Sequence, residues 1–348
     1  MTRFEQEIRE QPVALARLLR AGRAEVGQAA AAVRAFQPRF VVTAARGSSD
    51  NAARYAKYLF GARNRLVVSL GAPSLLTLYG APPALAGALV IGISQSGESP
   101  DIVALVEEGR RQGALTLALC NKPDSPLARA AAHIIDLHAG PEESVAASKS
   151  YTAELLALAM LSAAVDGDAA ATAALDAVPD AVERTLSAAT SLPDAALAPF
   201  VLADRLLVLG RGFNFATAFE LALKIKELTG ATADPYATPD LFHGPLAMID
   251  AGYPALVVAH RGAAFEDARR TLQAIASRGA EILTISDDPS LQADFAFCGH
   301  FLTAPGVPEW LSPITAIVPG QLLALALARA RGQDPDRPWG LAKVTRTC

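Results

Sequence analysis

The chain has 348 residues, a formal net charge of −4, 51% hydrophobic residues and 19% charged ones. That length exceeds the roughly 100–200 residues of a usual single domain, so two domains are the starting expectation. The composition excludes a disordered chain, and the interspersed charges leave no basic face for nucleic acid.

The opening Met1-Thr2-Arg3-Phe4-Glu5-Gln6-Glu7-Ile8-Arg9-Glu10 is too charged for a signal peptide. The longest apolar run, around Leu155 to Val165, contains Ser162. It falls short of the ~20 residues that span a bilayer, so a buried helix is expected and no membrane partner. Cys120, Cys298 and Cys348 are far apart, with neither metal-ligand spacing nor a disulfide framework, so a reducing, cytoplasmic location is expected. Lysine is scarce, 6 residues against 25 arginines. A lysine kept against that bias points to chemistry in which an amine loses its proton and attacks a carbonyl.

In chain order, residues 39–47 form an apolar, β-branched run ending in Gly47, followed by a helical pattern from about Asp50 to Phe60. Ala88 to Ile93 reads as a strand, then come a polar loop, a helix through Val103–Arg111, and a strand at Leu115–Leu119. Residues 205–212 begin the same series again, with a helix at Ala216–Leu228, a strand at Ala255–Ala259, a helix at Ala268–Ser277 and a strand at Ile282–Ile285. Arg46-Gly47 thus aligns with Arg211-Gly212, and two βαβ-rich halves match at an offset of about 165 residues. Apolar strands alternating with helices predict an α/β fold with parallel sheets covered on both faces. The expected divisions are a helical segment 1–30, a first α/β domain 31–165, a helical linker 166–196, a second α/β domain 197–335 and a tail 336–348.

Two loops of the first half are rich in hydroxyls: Ser48-Ser49, and Ser94-Gln95-Ser96-Gly97-Glu98-Ser99. At the carboxyl ends of parallel strands, hydroxyls and backbone amides can cradle a phosphate, and Gly97 permits close approach. Ordinary helix N-caps are the other reading. The matching loop of the second half, His260 to Asp267, lacks the hydroxyls, so only the first half is expected to bind the anion. Neither loop is a P-loop or a dinucleotide fingerprint.

Glu220, Lys224 and Glu227 share one helical face, as a solvated salt-bridged face or as part of a site with His243 in its Asp240-Leu241-Phe242-His243-Gly244-Pro245 turn. A carboxylate and an imidazole suit an enolisation, one moving a proton between carbons and the other opening a sugar ring. Lys343 is an idle tail lysine unless the tail folds back. His133, His138, His260 and His300 have no partners at ligand spacing, so no metal or other cofactor is expected.

These motifs in this order resemble the sugar-isomerase (SIS) family, in particular the isomerase half of glucosamine-6-phosphate synthase and its stand-alone relatives. The likeness runs from about residue 39 through Gly47-Ser48-Ser49, Ser94 to Ser99, Ala139 to Lys149, Glu220 to Glu227, His243-Gly244-Pro245 and Leu341-Ala342-Lys343. It implies two tandem SIS domains, each a flavodoxin-like three-layer α/β/α sandwich. It further implies that Ser49, Ser94, Gln95, Ser96 and Ser99 hold a sugar phosphate, with Ser48 adjoining. Glu227 would shuttle a proton between C1 and C2, assisted by Lys224. His243 would open the ring and reach the active site of a neighbouring subunit, so a homodimer is expected. Lys343 would form a Schiff base or bind the open-chain carbonyl, Val145 and Ala342 would line the sugar, and Glu142 would contact the amine. Ser99 stands where threonine is usual and Ala147 where serine is common.

The synthase carries a glutaminase domain with a cysteine just after Met1. Here Thr2 follows Met1 and the first cysteine is Cys120, so this chain is not expected to release ammonia from glutamine. The Glu-Ile-Arg-Glu-Gln-Pro opening, the Ala-Arg-Gly-Ser-Ser-Asp-Asn-Ala loop and the Lys-Val-Thr-Arg-Thr tail resemble SIS-type glucosamine-6-phosphate deaminases more closely. The expected reaction is glucosamine 6-phosphate plus water to fructose 6-phosphate plus ammonia. The alternatives are a galactosamine-6-phosphate deaminase, an Amadori deglycase, an isomerase served by a separate glutaminase, or a non-catalytic sugar-phosphate sensor.

Overall fold

The structure is a computed structural model that describes residues 1–189, 194–295 and 298–343. Residues 344–347 of the tail motif and 190–193 of the expected linker lie outside the described residues.

Two five-stranded, all-parallel sheets flanked by helices make up the α/β fold. The first contains β1 (Phe40–Ala44), β2 (Val68–Leu70), β3 (Ala88–Ile93), β4 (Leu115–Cys120) and β5 (His133–Asp136), in the order β2-β1-β3-β4-β5. The second contains β6 (Arg205–Gly210), β7 (Thr232–Ala237), β8 (Pro254–Val258), β9 (Glu281–Ser286) and β10 (Gly299–Leu302). Read from its far edge, its order is β7-β6-β8-β9-β10, the same plan. In such a sheet the chain leaves in opposite directions from β1 and β3, and again from β6 and β8. Those switch points open a crevice at the strands' carboxyl ends where ligands bind.

The central strands are buried throughout: every residue of β3 and of β8 is covered, as a strand with helices on both faces requires. Around the first sheet, Val42, Val90, Ile102, Leu105, Ala118 and Leu127 form one core, and around the second Leu207, Val257, Leu272 and Ile282 belong to another. By contacts the chain forms two units that are not continuous in sequence. One takes residues 10–143, 147–179 and the tail from Ala342; the other takes 1–9, 144–146 and 180–341.

The apolar run around Leu155 lies in the helix Lys149–Asp166, whose residues 149–163 are all buried. The segment Glu309–Ala330 is longer and apolar enough to cross a membrane by composition, but 89% of its apolar window is buried inside the fold. Its apolarity is that of a core helix. Gly320, within it, lets this helix press on Leu221, because a methyl at 320 would lie 2.9 Å from Leu221 Cδ1.

Gly97 shows how tightly the first switch-point loop is set. It adopts φ +65°, and a Cβ there would lie 2.1 Å from Ser125 Oγ. Both conformation and space require glycine. Gly97→Ala is expected to destabilise its unit by roughly 1–3 kcal/mol, read as an earlier midpoint in urea unfolding.

Candidate functional site

At the first switch point, Ser48 and Ser49 lie in the first turn of the helix Gly47–Asn64, which follows β1. Ser94 to Ser99 lead from β3 into the helix Pro100–Arg111, with Ser99 at its N-cap position. Neither helix has a side-chain cap: Arg46 and Ser99 occupy the N-cap positions and make no capping bond. The hydroxyls therefore do not serve the N-caps that the simpler reading assigned to them. Ser94 Oγ accepts from the Gly97 N–H at 3.1 Å, and Ser96 Oγ from the Glu98 N–H at 3.3 Å. A hydroxyl that accepts from the backbone still has its own proton to give, which is what an anion needs. Ser49 differs, since its hydroxyl donates to the buried carboxylate of Glu154 at 2.7 Å.

The two loops are tied together by a pair the sequence reading had passed over. Arg46 donates from Nε to Asp101 Oδ2 at 2.9 Å, with Nη2 at 2.8 Å from the same oxygen. Asp101 is buried in the first turn after Ser99, whereas about half of the Arg46 side chain is exposed. The repeat carries the same clasp, Arg211 Nε to Asp267 Oδ2 at 3.4 Å. The alignment of Arg46-Gly47 with Arg211-Gly212 held the signal that could have revealed it.

Gln95 and Glu142 line a cleft of about 610 Å³ with Arg17, Asn121, Lys122 and His138. The side chain of Glu142 is fully buried. It accepts from the Ser148 N–H at 3.0 Å, the Ser150 N–H at 2.9 Å and the Ser150 hydroxyl at 2.6 Å, and Lys343 Nζ donates to it at 3.0 Å. Burial raises the Glu142 carboxyl, but the Lys343 charge and the serine donors outweigh it and hold it below the usual carboxylate range. Lys343 is thus neither idle nor fully exposed, and its partner is a carboxylate of the same unit. Ala342 beside it is exposed.

The other unit holds the remaining candidates. Lys224 is wholly buried in the helix Phe215–Thr229, 2.6 Å from Glu227 and 3.3 Å from the equally buried Glu220. This is not a solvated face. Burial alone would lower the Lys224 pKa, but Glu220 and Glu227 together raise it above the ordinary lysine value. The two carboxylates favour the ammonium form of Lys224 over the free amine. Of the three, only Glu227 reaches solvent, through about a fifth of its side chain. His243 is exposed in the turn before Gly244, its N–H bonded to the Asp240 carbonyl at 3.1 Å. Val145 is half-buried in the segment 144–146.

The comparisons follow the fold. An SIS-domain profile matches residues 36–164 and 200–330, three-quarters of the chain in two segments. The chain belongs to the SIS-domain family. It is 35% identical to the glutamine–fructose-6-phosphate aminotransferase (isomerizing) of Zymomonas mobilis, over 98% of this chain and 58% of that protein. The chain thus spans little more than half the length of that curated relative. A solved structure from Silicibacter pomeroyi, assigned to the phosphosugar isomerases, aligns over 97% of this SIS chain and 100% of its own. Its TM-score is 0.88 at 36% identity. The C-terminal domain of the glucosamine-fructose-6-phosphate aminotransferase from Francisella tularensis aligns over 97% and 98%, with TM-score 0.87 at 26% identity.

Two outcomes test these electrostatics. Lys224→Met removes the ammonium that Glu220 and Glu227 share in the buried helix face and is expected to cost about 3–5 kcal/mol in denaturant unfolding. Glu220→Gln in the same chain should recover much of the loss. Glu142, with its folded pKa lowered, contributes stability that is present above about pH 4.5 and is lost as pH falls through the lower folded value. Glu142→Gln should therefore flatten the acid limb of the Tm–pH curve.

Proposed function

We propose that this chain is an isomerising deaminase that converts glucosamine 6-phosphate and water into fructose 6-phosphate and ammonia. The observation that carries the reading is Glu227, a partly exposed carboxylate with one oxygen 2.6 Å from the amine of the buried Lys224. A proton shuttle between neighbouring carbons needs a carboxylate held in this way, and a binding protein does not. The hydroxyls of Ser94 and Ser96, each with a proton left to donate at the β1–β3 switch point, support a phosphate-ester substrate.

In the proposed sequence, Ser94, Gln95, Ser96 and Ser99 hold the phosphate, joined by Ser49 once its hydroxyl turns from Glu154, with Ser48 adjoining, and His243 promotes ring opening. Glu227 removes the C2 proton and returns it to C1, leaving a C=N bond at C2. Water adds to that carbon, the nitrogen takes up the proton that the new hydroxyl gives up as the C=O forms, and the C–N bond breaks to release ammonia. Lys343 holds the open-chain carbonyl oxygen as an ammonium. In the alternative role, the Lys343 amine gives up a proton to solvent, adds to the carbonyl carbon and expels the carbonyl oxygen as water. Val145 and Ala342 line the sugar. His243 is exposed in its own chain, which supports a role at the site of a second copy and hence a homodimer.

The aminotransferase relatives, 35% identical in the Zymomonas case, support a second reading in which ammonia from a separate glutaminase enters and the reaction runs toward the amino sugar. Purified protein incubated with glucosamine 6-phosphate is expected to release ammonia and fructose 6-phosphate in equal amounts. Glu227→Gln should lower turnover by about 100-fold or more. Binding without turnover would overturn the deaminase. Synthesis of the amino sugar only with added glutaminase would favour the second reading.

A further inference from the structure

The second sheet repeats the switch point of the first, yet the loop after β8 lacks the hydroxyls. What stands there is an anion of the chain's own. Glu309, which opens a short 3-10 turn before the helix Ser312–Ala330, accepts the Ala263 N–H on Oε2 at 2.8 Å and the Ala264 N–H on Oε1 at 3.2 Å. These amides lead into the 12-residue helix Phe265–Ala276, so its positive end faces the carboxylate. The neighbouring loop, after β6, closes the other side. A methyl built on Gly212 would lie 3.9 Å from Glu309 Oε1, and one on Gly262 would lie 2.3 Å from Oε2. Gly262, at φ +150°, therefore has to be bare for the carboxylate to enter.

The carboxylate arrives on a braced segment. Ser312 Oγ donates to the Glu309 carbonyl at 2.7 Å and accepts from Asn214 Nδ2 at 2.7 Å; Asn214 in turn accepts from Thr217. The Arg211–Asp267 pair ties the two loops, as Arg46–Asp101 ties those of the first half.

We infer that the second switch point is an anion site whose resident ligand is the Glu309 carboxylate, and that removing this side chain opens a site for inorganic phosphate. The pair of loops, the helix amides and the clasp are common to both halves. They differ in what fills the crevice: hydroxyl-lined loops in one, a tethered carboxylate in the other. The Asn214–Ser312 bond also joins the loop entering the helix Phe215–Thr229 to the start of the helix Ser312–Ala330, two helices that pack on each other.

The test counts phosphate sites by equilibrium dialysis with labelled inorganic phosphate on wild type, Glu309→Ala and Glu309→Gln. Glu309→Ala should bind one more phosphate per chain than wild type, and phosphate should raise its Tm more than that of wild type. Glu309→Gln keeps the plug's volume and is expected to add no site. Equal counts in wild type and a folded Glu309→Ala would overturn the inference, as would a Tm gain no larger than wild type's. If Glu309→Ala folds poorly, refolding in phosphate against chloride at equal ionic strength decides. Recovery in phosphate alone supports the plug, and equal failure in both overturns it. The increment between variants is independent of the proposed reaction: a first half that binds no phosphate shows as a wild-type count of zero, with the increment unchanged.

Discussion

In each half of this molecule an arginine just past the first strand reaches an aspartate in the first turn after the third. Parallel strands leave their carboxyl-end loops as separate excursions, and nothing in the backbone ladder obliges two of them to meet. The Arg46–Asp101 and Arg211–Asp267 pairs make them meet. In the first half the aspartate is buried and the guanidinium half-exposed, so the charge is paired where water is scarce and the remaining donors face solvent. The tie joins the two loops that border each switch point. The clasp occurs with hydroxyls in one half and without them in the other, which marks it as part of the architecture.

The costly groups of the fold are arranged on the same logic. Lys224 between two carboxylates, and Glu142 among two serines and Lys343, are full charges in dry surroundings. Such charges survive only when partners satisfy them, and removing one partner costs more than the pair contributes. Both arrangements end in a group with limited access to solvent, Glu227 in one and Lys343 in the other. A charge held by rigid partners is a charge at a fixed position, and fixed position is the first requirement of proton transfer.

The strands that escaped the sequence reading have a common cause. β2, β7 and β10 are three of the four sheet edges; the fourth, β5, is the short apolar strand that opens with His133 and ends before His138. β2 has three residues, β7 contains Asp234 and Pro235, and β10 contains Gly299 and His300. An edge is covered incompletely, so it tolerates proline and polar side chains and loses the apolar run by which central strands declare themselves. The central strands β1, β3, β4, β6, β8 and β9 were legible because burial on both faces leaves them little choice of residue.

The sequence by itself determined the α/β class, the duplication, the hydroxyl-rich loops and the spacing that puts Glu220, Lys224 and Glu227 on one helical face. These are local properties, set by periodicity and by residues within a few turns of one another. Only the tertiary structure decided that this face is buried, so that two carboxylates favour the ammonium form of Lys224. It also decided that Lys343 finds Glu142, that Ser49 gives its proton to Glu154, and that Glu309 enters the second crevice. Each joins residues dozens to hundreds of positions apart. No pattern along the chain encodes such pairs, because they exist only once two strand-end loops and a distant segment have been brought to the same edge of a sheet.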